Sequence, residues 1–190
     1  ALARGLDPKA IMAELYGKET GVSKGRGGSM HLFNAEKHFM GGYAIVAGQL
    51  PLAVGAALAT DYRGSDAVVM AVFGEGSTNI GNFHEALNMA KLWRLPVVFL
   101  CVNNFYAMGA TVVSDSAVRE IWRKALAYDM VAERVDGMDV LAVREVIQRA
   151  VRRAREEREP TLVESVTYRY RGHSMADPAR YRTEEEVKEW

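Results

Sequence analysis

The strongest constraint on this chain is an unbroken apolar run that stops at an acidic residue set between two glycines. Ala67 to Phe73 is bounded by Gly64-Ser65-Asp66 on one side and by Gly74-Glu75-Gly76 on the other. Apolar residues in sequence, without polar alternation, predict a strand buried on both faces. Gly74 and Gly76 then let the backbone turn sharply and bring its N–H groups close to a ligand. Phe83, Ala86, Leu87, Ala90 and Lys91, spaced by three and four, predict a helix whose positive end points back at that turn. Such a turn is an anion site. Glu75 in its middle would repel a phosphate unless a divalent cation lay between them, and Mg²⁺ is the usual hard cation for carboxylate, amide oxygen and phosphate. Val97 to Val102 predicts a second strand that delivers the Asn104 side-chain carbonyl to the same sheet edge. The stretch from Gly74 to Asn104 is therefore suited to a diphosphate held through a metal.

The rest of the composition narrows the class. With 190 residues, one domain with a sizeable core is expected, spanning residues 1–190. Lysine plus arginine and aspartate plus glutamate both total 24, so no basic excess points to nucleic acid. Arg152, Arg153, Arg155 and Arg158 are interleaved with Glu156, Glu157 and Glu159, which predicts a solvated helix face. The single cysteine, Cys101, lies within an apolar strand and fits a reducing compartment. No apolar segment in Ala1 to Pro8 suggests a signal peptide. Ala44 to Ala59, interrupted by Gln49 and Pro51, predicts a buried helix rather than a membrane span. The missing Met and the unfinished helical pattern from Glu184 to Trp190 suggest a fragment, truncated at both ends.

Taken in order, Asp7-Pro8 predicts the capped start of a short helix with Ile11, Met12 and Leu15 as its apolar positions. Gly21 to His31 is a loop rich in glycine, with Lys24 and Arg26. That composition fits either phosphate contact or a plain mobile loop. Pro51 suits the first turn of a small-residue helix, Leu52 to Thr60, whose Ala and Gly positions allow close approach in a core or a subunit interface. Ala117 to Ala127 reads as helical. Asp139 caps an amphipathic helix through Ala154 that Pro160 closes, and Thr161 to Thr167 reads as a buried strand. It leads into a loop, Tyr168 to Pro178, carrying His173 and Ser174. Alternating strands and helices predict an α/β fold: a doubly wound, mostly parallel sheet with helices on both faces and ligands outside the carboxyl ends of the strands.

Several common motifs fail. Asn79 breaks a G-x-G-x-x-G, and a dinucleotide site leaves Glu75 unexplained. His84-Glu85 lacks the second histidine of a zinc-protease helix. There is no nucleophile elbow and no Walker lysine. A thiol in mid-strand, as at Cys101, is a poor nucleophile.

What remains is specific. Gly74-Glu75-Gly76, then Asn103-Asn104 after a helix and a strand, resembles the thiamine-diphosphate fingerprint. Gly27-Gly28-Ser29-Met30-His31-Leu32, Phe83-His84-Glu85-Ala86-Leu87-Asn88, Trp93-Arg94-Leu95-Pro96, Phe105-Tyr106-Ala107-Met108-Gly109, Val135-Asp136-Gly137-Met138-Asp139 and Tyr168 through Pro178 narrow it further. Together they resemble the alpha subunit of the thiamine-dependent component of 2-oxo acid dehydrogenase complexes, closest to the pyruvate and acetoin branch, over essentially the whole chain.

The resemblance implies roles for named positions. Mg²⁺ would be held by Glu75, Asn104 and the backbone carbonyl of Tyr106. Gly76 and Ser77 would offer N–H groups to the diphosphate of thiamine diphosphate. Ala44 and Val46 would line the aminopyrimidine, with Val46 as the apolar wedge that bends the cofactor. His173 would contact the diphosphate or the reacting substrate, and His31 would stand near the substrate end. The implied activity is oxidative decarboxylation of a 2-oxo acid, foremost pyruvate, with acyl transfer to the lipoyl domain of the acyltransferase component. Acetoin or branched-chain 2-oxo acid dehydrogenases, and a non-catalytic scaffold of the same fold, are the alternatives.

The implied assembly is two alpha and two beta chains, with the cofactor at their interface. A tyrosine-arginine pair that grips the diphosphate would precede Ala1, and an activating glutamate would come from the beta subunit, so this chain alone is expected to be inactive. No membrane or nucleic-acid partner is implied. The compartment would be the bacterial cytoplasm, or the mitochondrial matrix in a eukaryote. At position 75 the pyruvate branch usually has Asp and the branched-chain branch Glu. The extra methylene moves the carboxylate outward by about one bond, which the loop can absorb. Phe105 and Ala107 also stand where other residues are common. Ser174 matches the serine whose phosphorylation silences animal relatives; a phosphate there would add about −1.5 to −2 charges.

Overall fold

The computed structural model describes all residues, 1–190. Its helices are α1 (Pro8–Leu15), α2 (Gln49–Tyr62), α3 (Gly81–Leu92), α4 (Val112–Asp115), α5 (Val140–Glu156) and α6 (Glu184–Glu189). Its strands are β1 (Val69–Gly74), β2 (Val97–Asn103), β3 (Tyr106–Ala107), β4 (Ala110–Thr111), β5 (Val131–Asp136) and β6 (Thr161–Val166). The chain forms two compact units, Ala1–Gln49 and Leu50–Trp190.

In the larger unit four parallel strands stand in the order β1-β2-β6-β5. Their carboxyl ends therefore share one rim, at Gly74, Asn103, Val166 and Asp136. Side chains alternate across this sheet. Val98 and Val163 face α5 and join Val146, Ala150 and Ala154 in one apolar cluster. Glu164, next to Val163, points the other way, where its carboxylate meets Trp122 in the 3-10 turn Ile121–Tyr128. Helical layers thus cover both faces, as the alternating pattern predicts.

The local signals explain most element ends. Asp139 caps α5 by accepting from Leu141 and Ala142 N–H groups at 2.9 and 3.2 Å, worth about 1 kcal/mol. Thr161 to Val166 is buried nearly throughout, because β6 lies between two other strands. β1 differs from the sequence expectation. It is an edge strand, so only Ala71 and Phe73 are buried while Met70 and Val72 are exposed. An unbroken apolar run signals burial only where both faces are covered.

Three other expectations are revised. The region read as a helix from Ala117 is a 3-10 turn beginning at Ile121. In α1 the buried side chain is Glu14, whereas Met12 and Leu15 are exposed. The arginines after Val151 are not simply solvated: Arg153 bonds Glu133 and Thr161, and Arg155 and Arg158 reach the carbonyls of Asp66 and Ser65. No helix is long and apolar enough to cross a membrane.

Candidate metal and diphosphate site

The site grows from the ends of β1 and β2. After Gly74 the chain enters a 3-10 turn, Glu75–Asn79, and only then α3. Register pairs Gly74 with Val102, so the residues just past each strand are neighbours. Glu75 is folded inward and only 4% exposed. Its Oε2 accepts from the Asn104 N–H at 3.3 Å, and its Oε1 is buried with no hydrogen-bond partner. Burial pushes the Glu75 carboxyl above its usual range, although its own N–H, the Asn104 N–H, Arg169 and His173 act against this. A buried carboxylate oxygen without a donor is costly unless a cation or proton meets it.

The two glycines act differently from the expectation. Neither Gly74 nor Gly76 has a positive φ, and a side chain on Gly74 would meet nothing. Gly76 is required by close approach, since a Cβ there would stand 2.6 Å from the Ala107 Cβ. The turn is secured from behind. Thr78 Oγ1 donates to the Glu75 carbonyl at 2.7 Å, and Lys124 Nζ donates to Thr78 Oγ1 at 2.7 Å and Asn79 Oδ1 at 2.8 Å. Burial lowers the Lys124 pKa. Ser77 is buried within the same turn.

Past β2 the chain is shaped by paired asparagines. Asn103 Nδ2 donates to fully buried Glu164 at 2.7 Å, and its Oδ1 accepts from the Phe105 N–H at 3.1 Å. That bond supports Phe105 at φ 70, a conformation that is uncommon for a bulky residue. Asn104 Oδ1 accepts from the Tyr106 N–H at 3.2 Å. The Tyr106 carbonyl accepts from Arg169 at 3.0 Å, with a second lone pair remaining. Burial, followed by the bond to Glu186, raises the Tyr106 hydroxyl to about 12.

After β6, Arg169 ties the rim together. It donates to the carbonyls of Tyr106 and Met108 and to Tyr181 Oη. It also lies 3.3 Å from His173 Nδ1, which must accept because a guanidinium only donates. Asp177 accepts from the His173 and Ala179 N–H groups and from Tyr181 Oη, and these bonds hold its carboxyl at about 2. His173 and Ser174 are both exposed.

The larger unit thus contains Glu75, Gly76, Ser77, Asn104, Tyr106 and His173 at one rim. In the smaller unit His31 and Ala44 line a concavity of about 510 Å³, and Val46 is exposed. Cys101 is buried in β2 and its thiol is pushed well above the ordinary value by burial. Sequence reasoning missed Glu14, Lys124, Glu164, Arg169, Asp177 and Tyr181. Only the last loop offered a signal, in its density of charge and in the Asp177-Pro178 turn.

The donor set fits a hard cation. Glu75 Oε1 lacks a partner, and the Asn104 amide oxygen and the Tyr106 carbonyl follow the neighbouring strand end. No three His, Cys, Asp or Glu side chains gather in the chain, so an ion at Glu75 would need amide, carbonyl and ligand oxygens to complete its shell.

An open parallel sheet with an acidic, amide-bearing rim defines an α/β protein built to bind a ligand at its strand ends. The family model described as dehydrogenase E1 component matches residues 1–190, and the chain belongs to that family. It is 49% identical over 197 residues to a pyruvate dehydrogenase E1 component subunit alpha from Porphyra purpurea, covering all of this chain and 57% of that one. Against the subunit of the same name from Rhizobium meliloti it is 48% identical over 187 residues, covering 98% and 54%. The chain spans about half the length of these relatives. Among solved structures, a chain from Mycobacterium smegmatis assigned as a thiamin diphosphate-dependent enzyme matches with TM-score 0.51 and 25% identity, over 63% of this chain and 22% of that one.

Proposed function

We propose that this chain supplies the metal and diphosphate side of a thiamine diphosphate site, as part of the alpha subunit of a pyruvate dehydrogenase. The observation that carries the reading is the buried, unpartnered Oε1 of Glu75 beside Asn104. Glu75, the Asn104 side chain and the Tyr106 carbonyl would hold Mg²⁺, and Gly76 and Ser77 would offer N–H groups to the diphosphate. Ala44 and Val46 would give the aminopyrimidine an apolar wall. Bound thiamine diphosphate supplies the electron sink for decarboxylation of a 2-oxo acid. His173, braced by Arg169 and Asp177, would bind the diphosphate or substrate, and His31 would exchange a proton at the substrate end. Residues 1–190 would act as one diphosphate-side domain.

The names of the relatives support pyruvate as substrate and a role as an alpha subunit; the partner would be a beta subunit in a two-alpha, two-beta assembly, with acyl transfer to a lipoyl domain. A bacterial chain of this kind would work in the cytoplasm. The test uses the full-length chain co-expressed with its beta partner. Titration with thiamine diphosphate should show binding that requires Mg²⁺, and assays with an artificial electron acceptor should favour pyruvate over acetoin and branched 2-oxo acids. Binding indifferent to Mg²⁺, or activity on none of the three, overturns the reading.

A further inference from the structure

The smaller unit contains a second glycine-rich segment, and one buried carboxylate organises its backbone. Glu14, 1% exposed, accepts four N–H groups: Ser23 at 2.8 Å and Gly25 at 2.8 Å on Oε2, Gly27 at 2.6 Å and Gly28 at 3.2 Å on Oε1. A side chain on Gly21 would collide with Glu14 itself. The amides of this loop, an array suited to an external anion, are therefore committed to an internal one.

Two of the anchored residues hold His31 by its backbone. Ser23 Oγ donates to the His31 carbonyl at 2.6 Å, and the Gly27 carbonyl accepts from the His31 N–H at 3.3 Å. The imidazole is fixed as well. Its Nδ1 lies 2.9 Å from the Gly42 carbonyl, and a carbonyl oxygen can only accept, so Nδ1 carries the proton. Nε2 is then the nitrogen with a free lone pair, on a ring that lines the concavity with Ser23, Arg26, Tyr43 and Ala44.

We propose that Glu14 is a positioning residue for His31: through Ser23 and Gly27 it holds the imidazole as the Nδ1–H tautomer, with Nε2 offered to the concavity as a proton acceptor. The use of that acceptor rests on the function proposed above, but the positioning itself does not. Free histidine favours the opposite tautomer, so the Nδ1–H form is a signature that a loose loop would not show.

The experiment labels the full-length chain, with its beta partner, with ¹⁵N-histidine and reads the ring nitrogens of His31 above the imidazole titration. The wild type should show Nδ1–H. Glu14→Gln, whose amide cannot accept all four N–H groups, should revert His31 to a tautomer mixture. Its kcat should fall about 100-fold, the effect of misplacing a reacting group by about 1 Å, while thiamine diphosphate affinity stays unchanged. Ser23→Ala, which removes one bond and leaves Glu14 in place, should shift the tautomer in the same direction, and Ser23→Thr should restore it. If Glu14→Gln does not fold, the Ser23 pair decides. An Nε2–H signal in the wild type, or an Nδ1–H signal unchanged by these variants, overturns the proposal. A wild-type Nδ1–H signal that these variants abolish, in an assembly that binds no thiamine diphosphate, would instead retain the positioning and reject the proposed function.

Discussion

The chain has two glycine-rich segments built around a glutamate, and they are opposites. Around Glu14 four backbone N–H groups converge, and although burial raises its carboxyl, those bonds hold it below the usual range. Around Glu75 only one neighbouring N–H reaches the side chain from across the rim, one oxygen has no partner, and burial holds the carboxyl above the usual range. The same residue type in similar company is therefore closed in one place and open in the other. Glycine content and charge mark where the backbone comes close. The supply of donors decides whether the pocket already contains its counterpart.

The sharpest way to break this contrast is to remove the open carboxylate. Glu75→Ala should weaken Mg²⁺-dependent thiamine diphosphate binding about 1,000-fold, comparable to deleting one partner of a buried ion pair, as read by calorimetry. Its ligand-free melting temperature should fall little, because the variant gives up one long bond, from the Asn104 N–H at 3.3 Å, and also removes a buried oxygen that had no partner. A variant that binds as the wild type does would make the turn at Glu75 as closed as the loop at Glu14.

A second carboxylate tests the support behind the open site. Glu164 is fully buried and satisfied by Asn103 and the Trp122 N–H. Glu164→Ala strands both donors, and denaturant titration should show a loss of about 3 kcal/mol. A loss near zero would mean that the Asn103–Phe105 turn stands without it.

The glycines give a smaller effect. Gly76→Ala drives a methyl into Ala107 and should cost about 2 kcal/mol, restored in the double variant with Ala107→Gly. Gly28, with φ 56 but open space around its Cβ direction, should cost only about 1 kcal/mol as Ala. A loss at Gly76 no larger than that at Gly28 would show that the neighbouring Ala107 yields easily and that close approach does not fix the residue.

These particulars also show how far the sequence could be read. The strands β2 and β6, the cap at Asp139 and the pairing of Glu75 with the Asn104 segment follow from local pattern, because each depends on residues close in the chain or on one shared sheet rim. Position 75 could be singled out because a carboxylate in an anion turn is a local contradiction. Glu14 could not. Its partners lie nine to fourteen residues away, and a glutamate in a short helix looks solvated. Met12 and Leu15 misled for the same reason: apolar spacing names a face, but the loop needed a charge there instead. Glu164 and Arg169 were hidden by distance, since Asn103, Trp122, Tyr106 and Met108 lie 42 to 63 residues away from them in the chain.

The closed site offers the gentlest probe. The Glu14 carboxyl titrates lower in the folded chain than in the unfolded one, whose value is about 4.3. The folded state therefore binds fewer protons, and the stability Glu14 contributes is fully present above that value and is lost as pH falls through the depressed folded value. Hydrogen exchange read at Ser23, Gly25, Gly27 and Gly28 should keep constant protection, corrected for intrinsic rate, from neutral pH down to the ordinary carboxyl range. Below it, protection should fall at all four amides together, because one protonation weakens bonds to both oxygens. Glu14→Gln should remove this pH step. Four amides that lose protection at different pH values would mean that the loop is held by several independent contacts, and the contrast between a sealed and an open glutamate would lose its closed half.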